Sequence, residues 1–471
     1  MSTQTLATWL AQYETPVHAL RKVANFPLEN IGPGGEGEYL PEHSNWRLEQ
    51  RAWRESVALL DLSFHMTILR LKGPDALRLL EDNSVNNWEG FEIGNAKQIV
   101  SITPDGWMLG EGIVHKKAED SYELTPDLAL FDWLRFQIEK GGYDVEYSSY
   151  YPGVTTPERY RFEVQGPDAF KLLAKVTDAD LEAVKFFHGL DFEIAGHKVH
   201  GIRHGMAGQP GLEFEGPWEE RHEVRQIIVD AGEEFGLRQV GYFAYFTASI
   251  DSGYTWVKIP AIYSGEAMRE FREWVELPED PEAFGMVSMG GSYDPANIED
   301  YYFTPYDLGF GRTVSKRRDF RGKAALEKNV ADRKARTKVT LVWDADSFAE
   351  ATKGLVTPVD GLTTLPISPL IANYAGAQLD AVQHDGKTVG VAWQSGFMAS
   401  DKVFATVAIV DEEFGEPGTE LTLLWGDSRV FPRQDLEEHR QFPIKVTVAP
   451  APWASYARDG YRSDLAGASV S

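Results

Sequence analysis

The alternation of apolar and polar positions divides the chain into recognisable elements. Residues Ser2 to Gln12 and Pro16 to Val23 repeat apolar side chains at helical spacing. A third helix is predicted from an N-cap at Ser44 to about Leu59, with Trp46, Trp53, Val57 and Leu60 on one stripe. Asp61 to Leu71 reads as a turn entering a strand, and 97–103, 107–115 and 121–125 read as further strands. A helix over Leu128 to Lys140 is stopped by Gly141-Gly142. Phe192 to Arg203 is strand-like, and Pro217 to Phe235 reads as a long amphipathic helix ended by Gly236. Residues 241–260 are the least regular aromatic-rich segment. From about Arg336, valine-rich runs at 338–343, 388–394, 404–410 and 420–425 predict an antiparallel β domain.

One pattern occurs twice. Lys72-Gly73-Pro74-Asp75-Ala76-Leu77 is echoed by Gln165-Gly166-Pro167-Asp168-Ala169-Phe170. Each copy is a strand, a Gly-Pro turn and an amphipathic helix whose first turn suits proline. Two such copies imply two similar α+β units within a multidomain chain.

Composition narrows the function classes. With 471 residues the chain accommodates two or three domains. A net charge of −26 disfavours binding to nucleic acid or anionic membranes. The absence of cysteine excludes disulfides, thiolate metal sites and cysteine nucleophiles. Met1 to Leu10 has no basic segment before an apolar one, so a soluble cytoplasmic protein is expected. Gly32 to Gly37 fits Gly-x-Gly-x-x-Gly, but no strand precedes it, and it reads as a flexible loop or lid. His197, His200 and His204 lie along a strand-like segment and would not face one point, so no metal site is expected.

The densest chemical signal is Arg203-His204-Gly205-Met206-Ala207-Gly208-Gln209-Pro210-Gly211-Leu212-Glu213-Phe214. Three glycines at intervals of three let a flat ligand approach the main chain. Leu212-Glu213-Phe214 alternates, so a strand would separate Glu213 from its apolar neighbours. A carboxylate there suits a bidentate pair with an N–H/NH2 edge such as a pterin carries. Taken alone, the stretch reads more readily as a glycine-rich hairpin with one surface glutamate.

This hairpin resembles the folate site of the glycine-cleavage T-protein (aminomethyltransferase) superfamily. The variant His-Gly-Met-Ala-Gly-x-Pro-Gly-Leu-Glu is similar to that of the tetrahydrofolate-dependent aryl O-demethylases, exemplified by enzymes acting on vanillate and 3-O-methylgallate. The resemblance implies an α+β, three-domain cloverleaf: residues 1–64 and 156–335 as a folate-binding domain, 65–155 as an inserted ferredoxin-like domain, and 336–471 as a C-terminal antiparallel β domain. It further implies methyl transfer from a methoxylated aromatic compound to tetrahydrofolate, giving 5-methyltetrahydrofolate and a phenol. Gly241-x-x-Ala244-Tyr245 matches the motif carrying the acid, so Tyr245 takes that role. A phenol with a pKa near 10 suits a phenolic leaving group. His65, in Asp61-x-x-x-His65-Met66, matches a histidine lining the methoxy group, with Phe64 beside it on the substrate side.

For the cofactor, the resemblance implicates Glu213, Gln165, Thr125 and Tyr254, which stands in place of a stacking tryptophan. Glu111 falls where relatives keep a functional aspartate; it orders the pterin or sits on a solvated strand end. Vanillate-type enzymes carry an arginine six residues before the tryptophan that matches Trp133. Here that position is Asp127, which would repel a benzoate unless turned away. The expectation is therefore a methoxylated aromatic whose acidic group, if any, is held elsewhere. Within the same superfamily a sulfonium or methylated-amine demethylase is the alternative. A non-catalytic folate-binding accessory protein ranks lower, because that group relies on a cysteine motif absent here.

Overall fold

The computed structural model describes residues 4–22, 40–64, 67–150, 157–277, 288–368, 377–431, 433 and 436–461. Three sheets dominate. A six-stranded sheet has the order Arg238–Val240, Ala58–Asp61, Arg159–Gln165, Gly211–Pro217, His197–Ile202, Gly189–Ile194. Its first pair is parallel and the others antiparallel. A five-stranded antiparallel sheet runs Ala96–Ile102, Met108–Ala118, Ser121–Pro126, Ile68–Lys72, Glu146–Tyr150. The C-terminal strands, from Arg336–Trp343 to Phe442–Pro450, close an antiparallel barrel of six strands.

The six-stranded sheet has two chemically opposite faces. Tyr160, Phe162, Val164, Leu212 and Phe214 form one apolar core with Val224 and Ile228 of helix Arg221–Gly232. The other face carries Arg161, Glu163, Gln165, Glu213 and Glu215, because successive side chains of a strand alternate. Cross-strand register sets Glu163 opposite Glu213 and Arg161 opposite Glu215. This polar face meets the five-stranded sheet through ion pairs: Arg159 bridges Glu215 and Glu123, and Lys117 reaches Glu215 at 3.2 Å.

The predicted elements are present with instructive shifts. Helix Leu128–Lys140 has the expected bounds. The helix expected from Ser44 is capped by Asn45, whose side chain accepts from the Arg47 N–H, and it ends at Glu55. Ala58–Asp61 is instead a strand, paired on both sides and buried throughout. A short, wholly apolar run satisfies helical and buried-strand spacing alike, and only pairing decides. Likewise Pro217 ends a strand and the following helix begins at Arg221 after a 3-10 turn, because main-chain pairing with Arg159 extends that far. The strand-like segment 192–203 lies within a hairpin, Gly189–Ile194 against His197–Ile202. The Gly-Pro echo has one cause in both copies. A Cβ on Gly73 would lie 2.3 Å from the Asp144 carbonyl oxygen, and one on Gly166 2.3 Å from that of Ser56.

Barrel and N-terminal units are keyed to the irregular segment 241–260. Gln394 Nε2 donates to the Phe246 carbonyl (2.8 Å) and Lys338 Nζ to that of Gly253 (2.7 Å). Asp251, 1% exposed, accepts from Trp53 Nε1 (2.8 Å) and Arg54 Nη1 (2.6 Å). Among the described residues, no helix is long and apolar enough to cross a membrane. Asp251→Ala strands a buried indole N–H and leaves Arg54 with Asp401 alone, so we expect a loss of about 3 kcal/mol in urea unfolding; an unchanged midpoint would refute that role.

Candidate active site

The glycine-rich hairpin connects strands His197–Ile202 and Gly211–Pro217, and its amides organise the polar sheet face. The Met206 N–H donates to Glu163 Oε1 (3.0 Å) and the Ala207 N–H to Gln165 Oε1 (3.1 Å). A Cβ at Gly205 would fall 1.3 Å from Gln165 Nε2, so glycine is required for that amide to lie where it does. Glu163 Oε2 and Gln165 Nε2 are buried without a hydrogen-bond partner. Beyond the hairpin, the Tyr461 hydroxyl accepts from the Gly205 N–H (2.6 Å), which holds the loop from the far end of the described chain.

The facing carboxylates are electrostatically unlike. Burial pushes Glu163 well above the usual carboxylate range, and the neighbouring Glu213 charge adds to the shift. Burial acts on Glu213 too, but Arg161, whose Nη2 donates to Glu213 Oε1, and His204 hold it below its ordinary value. One carboxyl is therefore neutral and the other ionised, the arrangement that lets a site offer a donor beside an acceptor. Burial likewise lowers His115 to about 4, leaving a neutral imidazole beside Glu213 and Glu215.

The second half of the site lies on the five-stranded sheet. Tyr254 donates its hydroxyl proton to Glu111 Oε1, and Gln98 Nε2 donates to Oε2 (3.2 Å). Glu111 is raised by burial, against the hydrogen bonds from Tyr254 and Gln98, and Tyr254 is raised by burial and then by Glu111, so the phenol holds its proton firmly. Asp127 is spent on the backbone. Its Oδ1 caps helix Leu128–Lys140 at Leu130 N–H (2.9 Å), and its Oδ2 accepts from Glu111 N–H (2.9 Å). Burial raises it to about 7 despite those bonds.

Tyr245 packs beside the hairpin. It ends the short helix Tyr242–Tyr245, is 5% exposed, and shares an apolar cluster with Ala207 and Met206 of the hairpin. It also acts electrostatically on Tyr254. Thr125 is buried on the neighbouring strand, its hydroxyl 3.5 Å from the Ile113 carbonyl. Phe64 packs edge-on against Trp218, centroids 5.6 Å apart, on the other side of strand Ala58–Asp61's exit. His65 and the 32–37 loop lie outside the described residues.

Sequence reasoning missed Glu163, Arg161, Gln98 and His115. A signal for the first two was present: Arg159-Tyr160-Arg161-Phe162-Glu163-Val164-Gln165 alternates strictly between polar and apolar.

A pterin edge presents N–H donors beside a carbonyl acceptor. The ionised Glu213, the unpartnered Gln165 Nε2 and the neutral Glu163 offer the complementary set, so the residues present fit tetrahydrofolate.

This geometry agrees with the chain's likeness to known proteins. The family profile for the GCVT N-terminal domain matches residues 13–259. Syringate O-demethylase from Sphingobium sp. (strain NBRC 103272 / SYK-6) is 35% identical, with 92% of each chain covered. Sesamin methylene transferase from Sinomonas sp. (strain No.22) is 26% identical over 82% of this chain and 87% of its own. Among solved structures, the glycine cleavage system aminomethyltransferase T from Bartonella henselae superposes with a TM-score of 0.57, covering 87% of this chain and 89% of its own at 17% identity. The fold is of the aminomethyltransferase type. The chain belongs to the GCVT family.

A neutral Glu163 has a signed consequence. In the unfolded chain it ionises near 4.5, whereas the fold keeps it protonated, so stability drains away as pH rises past that value. Glu163→Gln keeps the shape and removes the drain. In thermal melts the variant should match the parent at pH 4 and exceed it at pH 8, by about 1.4 kcal/mol for each pH unit over which the native group stays protonated. A pH-independent difference would show that Glu163 is ionised.

Proposed function

We propose that this protein transfers the methyl group of an aryl methyl ether to tetrahydrofolate, leaving a phenol. The observation that carries the reading is the polar sheet face of Glu213, Gln165 and Glu163 under the hairpin, with Tyr245 packed beside Met206 and Ala207 of that hairpin and the Tyr254 phenol on Glu111. The likeness to syringate O-demethylase over nearly the whole chain supports the same chemistry.

Bound tetrahydrofolate supplies the nitrogen nucleophile that accepts the methyl group. Glu213 and Gln165 hold the pterin edge, with Glu163 completing it as a donor. When the methyl–oxygen bond breaks, its electron pair stays on the ring oxygen, and the Tyr245 O–H delivers the proton that makes this oxygen a phenol. A positioned acid of matched pKa contributes on the order of 100- to 10,000-fold. Tyr254 cannot substitute, because its proton is committed to Glu111. The largely buried surroundings keep bulk water from competing for these hydrogen bonds. His65 is assigned to the methoxy group on resemblance, and the cytoplasm is the compartment the reading implies.

Incubation with tetrahydrofolate and a panel of methoxylated aromatics should yield 5-methyltetrahydrofolate by mass spectrometry. Tyr245→Phe should lower kcat by about 100- to 10,000-fold while the protein stays folded and KM changes little. Product from a sulfonium or methylated amine, with Tyr245→Phe harmless, would replace the aryl ether with those donors. Folate binding with no turnover on any donor would leave an accessory role.

A further inference from the structure

Asp127, committed to two backbone N–H groups, leaves the site without a cation where vanillate-type relatives have arginine. A buried lysine stands elsewhere. Thr255 and Val257, 0% and 8% exposed, are buried, Val257 within the main core. Their neighbours Tyr254, Trp256 and Lys258 bring a phenol, an indole and an amine together. The Tyr254 and Trp256 ring centroids are 6.3 Å apart, and Lys258 Nζ lies 3.4 Å from the Trp256 centroid.

Lys258 is unusual for this acidic chain. The described residues include five buried cations: Arg21, Lys116, Arg161, Lys258 and Arg433. Arg21 and Arg433 pair with Asp427, Lys116 with Glu119, and Arg161 with Glu213. Among the described residues, Lys258, 7% exposed, has no ion pair or hydrogen bond, and the indole face of Trp256 is its contact. A cation–π contact is worth about 2 kcal/mol when desolvated, less than burying an ammonium costs. Burial accordingly drives its pKa well below the ordinary lysine value. In a chain with 72 acidic side chains, this amine has no carboxylate beside it among the described residues, and a carboxylate brought in by a ligand would restore its proton.

We propose that Lys258 is the carboxylate clamp of this site, seating an anionic group of a ligand whose aromatic ring lies along Tyr254 and Trp256. The inference rests on the demethylase reading above. Two ligands of that reaction bear a carboxylate on an aromatic frame: a methoxybenzoate substrate, and the benzoylglutamate tail of the folate. Lys258 serves one of them as a specificity-determining residue.

Calorimetric titration of the full chain with two matched pairs of ligands tests the inference. The pairs are 4-hydroxy-3-methoxybenzoate against 2-methoxyphenol, and tetrahydrofolate against 6-methyltetrahydropterin. Lys258→Met should weaken the carboxylated member of one pair by at least about 30-fold and leave its carboxylate-free partner unchanged. Which pair responds identifies the source. Lys258→Arg should keep the preference, and Lys258→Gln gives the same reading if methionine is not tolerated. Equal weakening within both pairs, or no change in any of the four, overturns the proposal. A lysine-dependent preference for the methoxybenzoate without methyl transfer would uphold Lys258 and sink the demethylase reading. A parent protein that binds none of the four overturns both.

Discussion

The antiparallel register between strands Arg159–Gln165 and Gly211–Pro217 is the constraint on which the site depends. It places Glu163 directly across from Glu213, with Gln165 across from Gly211. Two carboxylates at cross-strand distance and away from water cannot both ionise, since like charges opposite one another are unfavourable and desolvation penalises each. Arg161 breaks the tie by pairing with Glu213, so Glu163 keeps its proton. One register therefore produces a donor and an acceptor side by side. A slip of one residue would exchange this face for Tyr160, Phe162 and Val164.

The polar face is held by charge where it meets the five-stranded sheet, with Arg159, Lys117, Glu123 and Glu215 bridging the two. An apolar seam would have packed shut. Charged side chains at the seam hold the sheets together at their rim while Glu163, Gln165 and Glu213 stay unfilled by apolar neighbours. The opposite face, packed under helix Arg221–Gly232, supplies the hydrophobic stabilisation that a charged seam does not.

Distant segments complete the enclosure. Tyr254 meets Glu111 across the chain, Tyr461 fastens Gly205, and the barrel reaches Phe246 and Gly253 through Gln394 and Lys338. Each contact ends on the main chain or on a buried carboxyl, so each fixes backbone position near a phenol. Tyr245 is held within an apolar cluster without belonging to a long element of its own.

Sequence alone determined the strongly periodic elements, of which helix Leu128–Lys140 is the clearest, and the barrel strands, because period and turn residues are local properties. It also marked Glu213, Gln165 and Tyr245 through short motifs in which glycine spacing or resemblance was visible. It misassigned Ala58–Asp61, whose apolar run has no period of its own. It placed Asp127 by its match to a substrate arginine, although Thr-Pro-Asp before a helix also suits an N-cap. The tertiary structure decided which polar groups find partners. Glu163 and Lys258 are single polar residues in apolar surroundings when read along the chain. Their protonation and their freedom depend on neighbours 40 or more residues away in the case of Glu163, and on burial without a neighbouring carboxylate in the case of Lys258. Partnership across a fold carries no local signature, because it is fixed by sheet register and by the desolvation that only a closed core imposes.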